Sequence, residues 1–169
     1  LKSILDKLDT EHFHNLSDIG IAARTLLLQA TMPQSLRSEI AAAYNDFVRL
    51  YGDDKSMAVR SSATAEDLPN ASFAGQQETY LNVRGEDNLL RACHRCYASL
   101  FTDRAIKYRC DNGFDHLKVA LSIGVQYMVR ADLGSAGVMF TLDPDSGFDQ
   151  AILVTGAWGL GENVVQGNV

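Results

Sequence analysis

The chain has 169 residues, 46% hydrophobic and 21% charged, with a formal net charge of −6. That balance suits a soluble domain able to bury its own core. It speaks against a nucleic-acid or anionic-membrane surface, which needs clustered Lys and Arg. No apolar run approaches the ~20 residues of a membrane helix, and no secretory signal opens the chain. An odd count of 3 cysteines fits a reducing cytoplasm better than a disulfide framework. The chain begins at Leu1 inside a helical pattern and stops at Val169 after a glycine-rich segment, as expected of a piece of a longer protein.

Residues 1–50 read as helices. Leu1, Ile4, Leu5 and Leu8 recur at helical spacing, and a break follows at His12 to Leu16. Ser17-Asp18 is expected to cap a second helix to about Ala30, which Met32-Pro33 ends because a residue before proline leaves the helical region. A third helix is expected from Gln34 to Leu50, with Leu36, Ile40, Ala43, Tyr44, Phe47 and Val48 on its apolar face and Gly52 after it. Met57-Ala58-Val59 reads as the end of a buried strand, and Glu78 to Val83 as another. Gly85-Glu86-Asp87 should start a helix to Leu100, and a shorter one runs from Asp103 to Arg109. From Lys118 the pattern turns to β: a long strand from Val119 to Val129, a hairpin-type connection at Ala131 to Gly134, and strands at Ala136 to Leu142 and Ala151 to Thr155. Helices first and strands later, joined by hairpin-like connections, predict an α+β fold: N-terminal helices followed by a mainly antiparallel sheet with flanking helices.

The stretch from Ala58 to Tyr80 organises the chain. Arg60 is followed by Ser61, Ser62 and Thr64, and the small-residue run Ala71 to Gly75 precedes the next strand. A guanidinium beside hydroxyls and free N–H groups suits a polyphosphate, which it grips in a planar fork. A polar surface loop with Arg60 paired to Glu66 or Asp67 fits the same residues. Gly75 and Thr79 suit a phosphate lid or a simple turn entering a strand. Gln126, polar in an apolar strand, offers an amide to a ligand or faces solvent, and the pattern favours solvent. Trp158-Gly159-Leu160-Gly161-Glu162 suits either a backbone approach to a ligand or metal, or a structural turn. Cys93 and Cys96 form a single CxxC in mid-helix and read as packing. The 4 histidines show no hydrolase spacing, and no Walker-type P-loop is present.

The run from Ala58 to Pro69, continued by Ala71 to Thr79, resembles the nucleotide-binding domain of the phosphoenolpyruvate synthase (pyruvate, water dikinase) family. Ala98 to Ala105, Gly137 to Thr141 and Trp158 to Glu162 continue the likeness. Residues 57–169 match closely, and the first 50 only in style. Pyruvate, phosphate dikinases and rifampicin phosphotransferases look similar over the same region. The resemblance implies an ATP-grasp lobe: 1–55 a helical segment and 56–169 an α+β lobe of one nucleotide-binding domain, with the rest of the enzyme absent. It implies ATP and Mg²⁺ as cofactors, with Arg60 on the ATP phosphates, Gly75 and Thr79 in the phosphate-side loop, and Gln126 reaching the nucleotide. It assigns no metal ligand and no catalytic residue within the chain. The implied reaction turns ATP, pyruvate and water into AMP, phosphoenolpyruvate and phosphate, with a swivelling phosphohistidine domain and a C-terminal pyruvate domain as partners elsewhere. The chain alone is then expected to be inactive, oligomers would form through the absent parts, and gluconeogenesis in the cytoplasm is the implied setting. A related dikinase, a rifampicin phosphotransferase and a non-catalytic regulatory module are the alternatives.

Overall fold

A computed structural model describes residues 1–63, 67–68, 71–72 and 78–167. The chain divides into two compact units, Leu1–Met128 and Val129–Val169. In the first unit, helices α1 (Lys2–Leu5) and α2 (Leu16–Gln29) open the chain. Their Leu5, Ile19 and Ala23 close on Phe101 and Ile106 as one apolar cluster, the outcome of the helical spacing that the leucines and isoleucines keep. The start of α2 corrects the expected Ser17-Asp18 cap. Asn15 precedes the helix without capping it. Its amide instead donates to Lys7 O at 2.8 Å, and its oxygen accepts from the Asp9 N–H at 2.9 Å. The helix begins at Leu16, ahead of the expected cap, and Asp18 sits in its first turn, where a negative charge meets the positive end of the helix dipole.

Helix α3 (Gln34–Tyr51) stops at Gly52, whose φ of 92° is open to glycine and strained for other residues. Strands β1 (Met57–Ala63), β4 (Thr79–Val83) and β5 (Leu121–Tyr127) form an antiparallel sheet with β1 in the middle. A short ribbon of β2 (Asp67–Leu68) and β3 (Ala71–Ser72) lies between them in sequence. Helix α4 (Glu86–Ser99) brings Leu89, Ala92, Cys93 and Cys96 against Met57, Val59 and Val83, and Ile40, Tyr44 and Phe47 of α3 join them. Val59 and Cys96 are fully buried, each of the larger apolar side chains there contributing roughly 1.5–3 kcal/mol. Burial pushes the Cys96 thiol up to about 12. Cys93 and Cys96 are buried in this core, and the thiolate, the reactive and metal-binding form, is disfavoured there.

Helix α5 (Asp103–Asp111) begins at Thr102, whose hydroxyl accepts from the Ala105 N–H at 3.3 Å. Thr102→Ala should therefore lower stability by about 1 kcal/mol; a shift in the urea midpoint at constant slope checks this. Arg24 of α2 donates to Phe101 O at 2.7 Å and pairs with Asp103 at 3.1 Å, clamping α2 to the α4–α5 corner. Gly20 faces that clamp, and the Asp103 carboxylate fills the space a side chain would need.

In the second unit, β6 (Ser135–Phe140) and β7 (Leu153–Trp158) form an antiparallel ribbon, followed by α6 (Glu162–Val165). This corrects the expected hairpin at Ala131 to Gly134. That connection is a 3₁₀ turn, Ala131–Leu133, between a strand paired with β1 and a strand paired with β7. The ribbon instead closes through Asp143–Phe148: the Asp143 N–H donates to Phe148 O at 2.9 Å, and Gly147 takes a φ of 73°. The α+β class expected from the residues is what the elements form.

Candidate nucleotide face

Along β1 the residues alternate. Met57 and Val59 turn into the α3–α4 core, so Ala58, Arg60 and Ser62 turn to the opposite side, because successive strand residues point to opposite faces. Register then decides which neighbours share that side. Arg60 lies directly across from Thr79 on β4 and from Gly124 on β5. Ala58 lies across from Gln126, and Ser62 from Ser122. Arg60, Thr79 and Gln126 therefore share one face, with Gln126 on the diagonal from Arg60, a separation of about 7–8 Å between such neighbours.

Arg60 sits in the middle of the central strand, which corrects its expected position at a strand end. Ser61, Ser62 and Ala63 continue β1 because they pair with Ile123, Ser122 and Leu121, a ladder supplied by a strand some 60 residues away in sequence. Strand β4 is held alongside: the Ser61 N–H and hydroxyl both donate to Glu78 O, at 3.4 and 3.3 Å. The Ser122 hydroxyl donates to Ser62 O at 3.3 Å.

Arg60, Ser62, Thr79, Ser122, Gly124 and Gln126 are all exposed. Gly124 keeps the space beside the arginine open: among the described residues, a Cβ there would meet only the Arg60 carbonyl, at 3.9 Å. No ion pair links Arg60 to another described residue, and these six register positions hold no carboxylate. A cationic fork, hydroxyls and an amide on one face of the sheet are donors for an anion with many oxygens. Ser122 and Gly124 belong to this face but were not singled out from the residues. Their signal is parity, since both lie an even number of positions from Gln126.

Gly75 lies outside the described residues, as do Glu66 and the side chain of Asp67. Trp158 to Glu162 belong to the second unit. There Gly159, with a φ of 92°, donates its N–H to Gly134 O at 3.1 Å, and Glu162 opens α6.

The sequence of all 169 residues matches the family model "Pyruvate phosphate dikinase, AMP/ATP-binding domain". The chain belongs to that family. It is 56% identical to a phosphoenolpyruvate synthase of Synechocystis over 174 residues, covering 100% of the chain and 21% of the relative. Identity is also 56%, over 170 residues, with the Neisseria meningitidis enzyme of that name, with 100% and 21% covered. With the Escherichia coli phosphoenolpyruvate synthase it is 54% over 168 residues, with 98% and 21% covered. The chain thus spans about a fifth of the length of the relatives it matches. No helix among the described residues is long and apolar enough to cross a membrane.

Proposed function

We propose that the Arg60 face is one wall of an ATP site in a phosphoenolpyruvate synthase. The net reaction would convert ATP, pyruvate and water to AMP, phosphoenolpyruvate and orthophosphate through a phosphohistidine carried on another domain. The observation that carries this reading is the register, which sets Arg60, Thr79 and Gln126 on one face whose described register positions hold no carboxylate, in a chain of an AMP/ATP-binding family. Arg60 would grip phosphate oxygens as charge moves during transfer, Thr79 and Gly75 would line the phosphate side, and Gln126 would hydrogen-bond the nucleotide. Such a wall fits an ATP-grasp arrangement, in which a second lobe closes on the nucleotide. Residues 1–55 would then be the helical flank of residues 56–169 within one nucleotide-binding domain, in a cytoplasmic enzyme.

Mg²⁺ prefers all-oxygen ligands in a near-octahedral set. Among the described residues the face offers no carboxylates for it, and Asp9, His12 and His14 form the one cluster of three metal-ligating side chains. Magnesium ligands would therefore come from the nucleotide and from parts of the enzyme outside this face.

The deciding measurement is product analysis with the complete polypeptide. AMP and phosphoenolpyruvate should appear in equal amounts, and only when pyruvate is present. AMP formation that ignores pyruvate would shift the acceptor to that of another dikinase or an antibiotic phosphotransferase, and no turnover would favour a regulatory module. The isolated chain should bind ATP only weakly and turn nothing over. Micromolar affinity in isothermal titration would overturn the one-wall reading.

A further inference from the structure

The loop between α1 and α2 carries a second cluster that the nucleotide face does not use. Asp9, His12 and His14 each offer a ligand atom, and these atoms lie within 4.8 Å of one another. We propose that Asp9, His12 and His14 bind a divalent transition-metal ion of the Zn²⁺, Co²⁺ or Ni²⁺ class.

The loop is built to hold these groups. Asp9 Oδ1 accepts from the Glu11 and His12 N–H groups at 3.2 and 3.1 Å, which fixes the carboxylate plane. Asn15 ties the loop base, accepting from the Asp9 N–H and donating to Lys7 O. Phe13, between the two histidines, takes a left-handed φ of 56°, a conformation that costs a bulky residue. Its ring lies 4.8 Å from the Lys107 ammonium of α5, a cation–π contact that helps hold the ring in place. With Phe13 turned inward, the His12 and His14 rings stack, their centroids 5.3 Å apart and their planes 7° from parallel. Both remain open to solvent, with side chains 61% and 80% exposed, so an ion can reach them.

Distances and donor chemistry agree on the ion. His14 Nδ1 lies 3.1 Å from Asp9 Oδ2. Two ligands bound tetrahedrally to Zn²⁺ at about 2.0–2.1 Å are roughly 3.3 Å apart, so this pair needs little movement to chelate. Two imidazoles with one carboxylate favour Zn²⁺, Co²⁺ and Ni²⁺ over Mg²⁺ and Ca²⁺, which want oxygen alone. On binding, the Nδ1–H that His14 directs at Asp9 moves to Nε2 as the ring changes tautomer, which frees the Nδ1 lone pair for the metal. Three protein ligands leave the remaining positions to water, so the ion exchanges readily.

The test is Co²⁺ and Zn²⁺ titration of the chelator-treated complete polypeptide, in excess Mg²⁺ so that oxygen-only sites are filled. The wild type should bind one equivalent more than His12→Ala/His14→Ala. His12→Ala alone, which removes no hydrogen bond of the loop, should weaken that equivalent about tenfold or more, with an unchanged circular dichroism spectrum. The extra Co²⁺ should show d–d absorption that the double variant lacks. Equal stoichiometry and affinity in wild type and double variant would overturn the site. So would a His12→Ala variant that keeps full affinity.

Discussion

Arg60→Ala should lower the turnover of the complete polypeptide by about 10²–10³-fold, the scale seen when one preorganised donor to developing charge is removed. The size follows from where the residue sits. A guanidinium on a surface loop can be replaced by a neighbouring cation or by water. One on a central strand cannot, because β4 and β5 fix the backbone on both sides. At the proposed ATP site the effect should fall mainly on kcat, since the fork would matter most when charge spreads over the transferred phosphoryl oxygens. Arg60→Lys keeps the charge and loses the bidentate geometry, so its activity should lie between the two. Folding should be almost untouched, within about 0.5 kcal/mol, because the residue is exposed and makes no ion pair with the described residues. Ser61→Ala, on the opposite face of the same strand where its hydroxyl meets Glu78 O, is the control for general disturbance of the sheet. Steady-state kinetics with AMP as the readout checks all three. Turnover of Arg60→Ala within twofold of wild type would remove the phosphate role.

The helices and most strand positions were legible because period 3.6 and period 2 are carried by runs of apolar residues, as in α3 and in Val125 and Tyr127 of β5. What failed was what distant residues decide. Ser61 to Ala63 are small and polar and look like a loop, yet β5 makes them strand. Ala131 to Gly134 has the composition of a hairpin turn, but turn chemistry does not say which strands pair, and β6 found its partner in β7. Gln126 could not be oriented from its own strand. Alternation gives two faces and no label for which is buried, and only Met57 and Val59 packing on α4 supply that label. The Asp9 loop has no periodicity at all. The contact that brings His12 and His14 together is the left-handed turn at Phe13, which sequence patterns disfavour for a bulky residue.

Arg109→Ala should destabilise the first unit by about 3–4 kcal/mol, the cost of emptying a large buried site and stranding its partners. Arg109 is fully buried, and burial pulls its guanidinium down to about 10, so it still carries its charge at neutral pH. No carboxylate pairs with it among the described residues. Its Nη2 donates to Leu100 O at the end of α4, its Nε donates to His116 Nδ1 at 2.9 Å, and its plane lies 5.2 Å from the Phe101 ring. One guanidinium thus joins α4, α5 and the segment after α5, while Nη1 finds no hydrogen-bond partner among the described residues. Arg109→Met keeps the stem over Phe101 and removes the desolvated charge, so it should cost markedly less than alanine. The same contact makes stability depend on pH. His116 accepts at Nδ1, so the bond requires an unprotonated nitrogen, and burial, then the Arg109 charge, lower its pKa from the ordinary 6.5. A histidine with a depressed folded pKa binds its proton more readily when unfolded. Its contribution is therefore complete above about 6.5 and is lost as the pH falls through that value to the lower folded one. Thermal unfolding between pH 7.5 and 5 should show this loss, and His116→Asn should flatten it. In Arg109→Met the loss should shrink while burial preserves part of it. An unchanged slope in both variants would mean that the acid sensitivity comes from elsewhere in the chain.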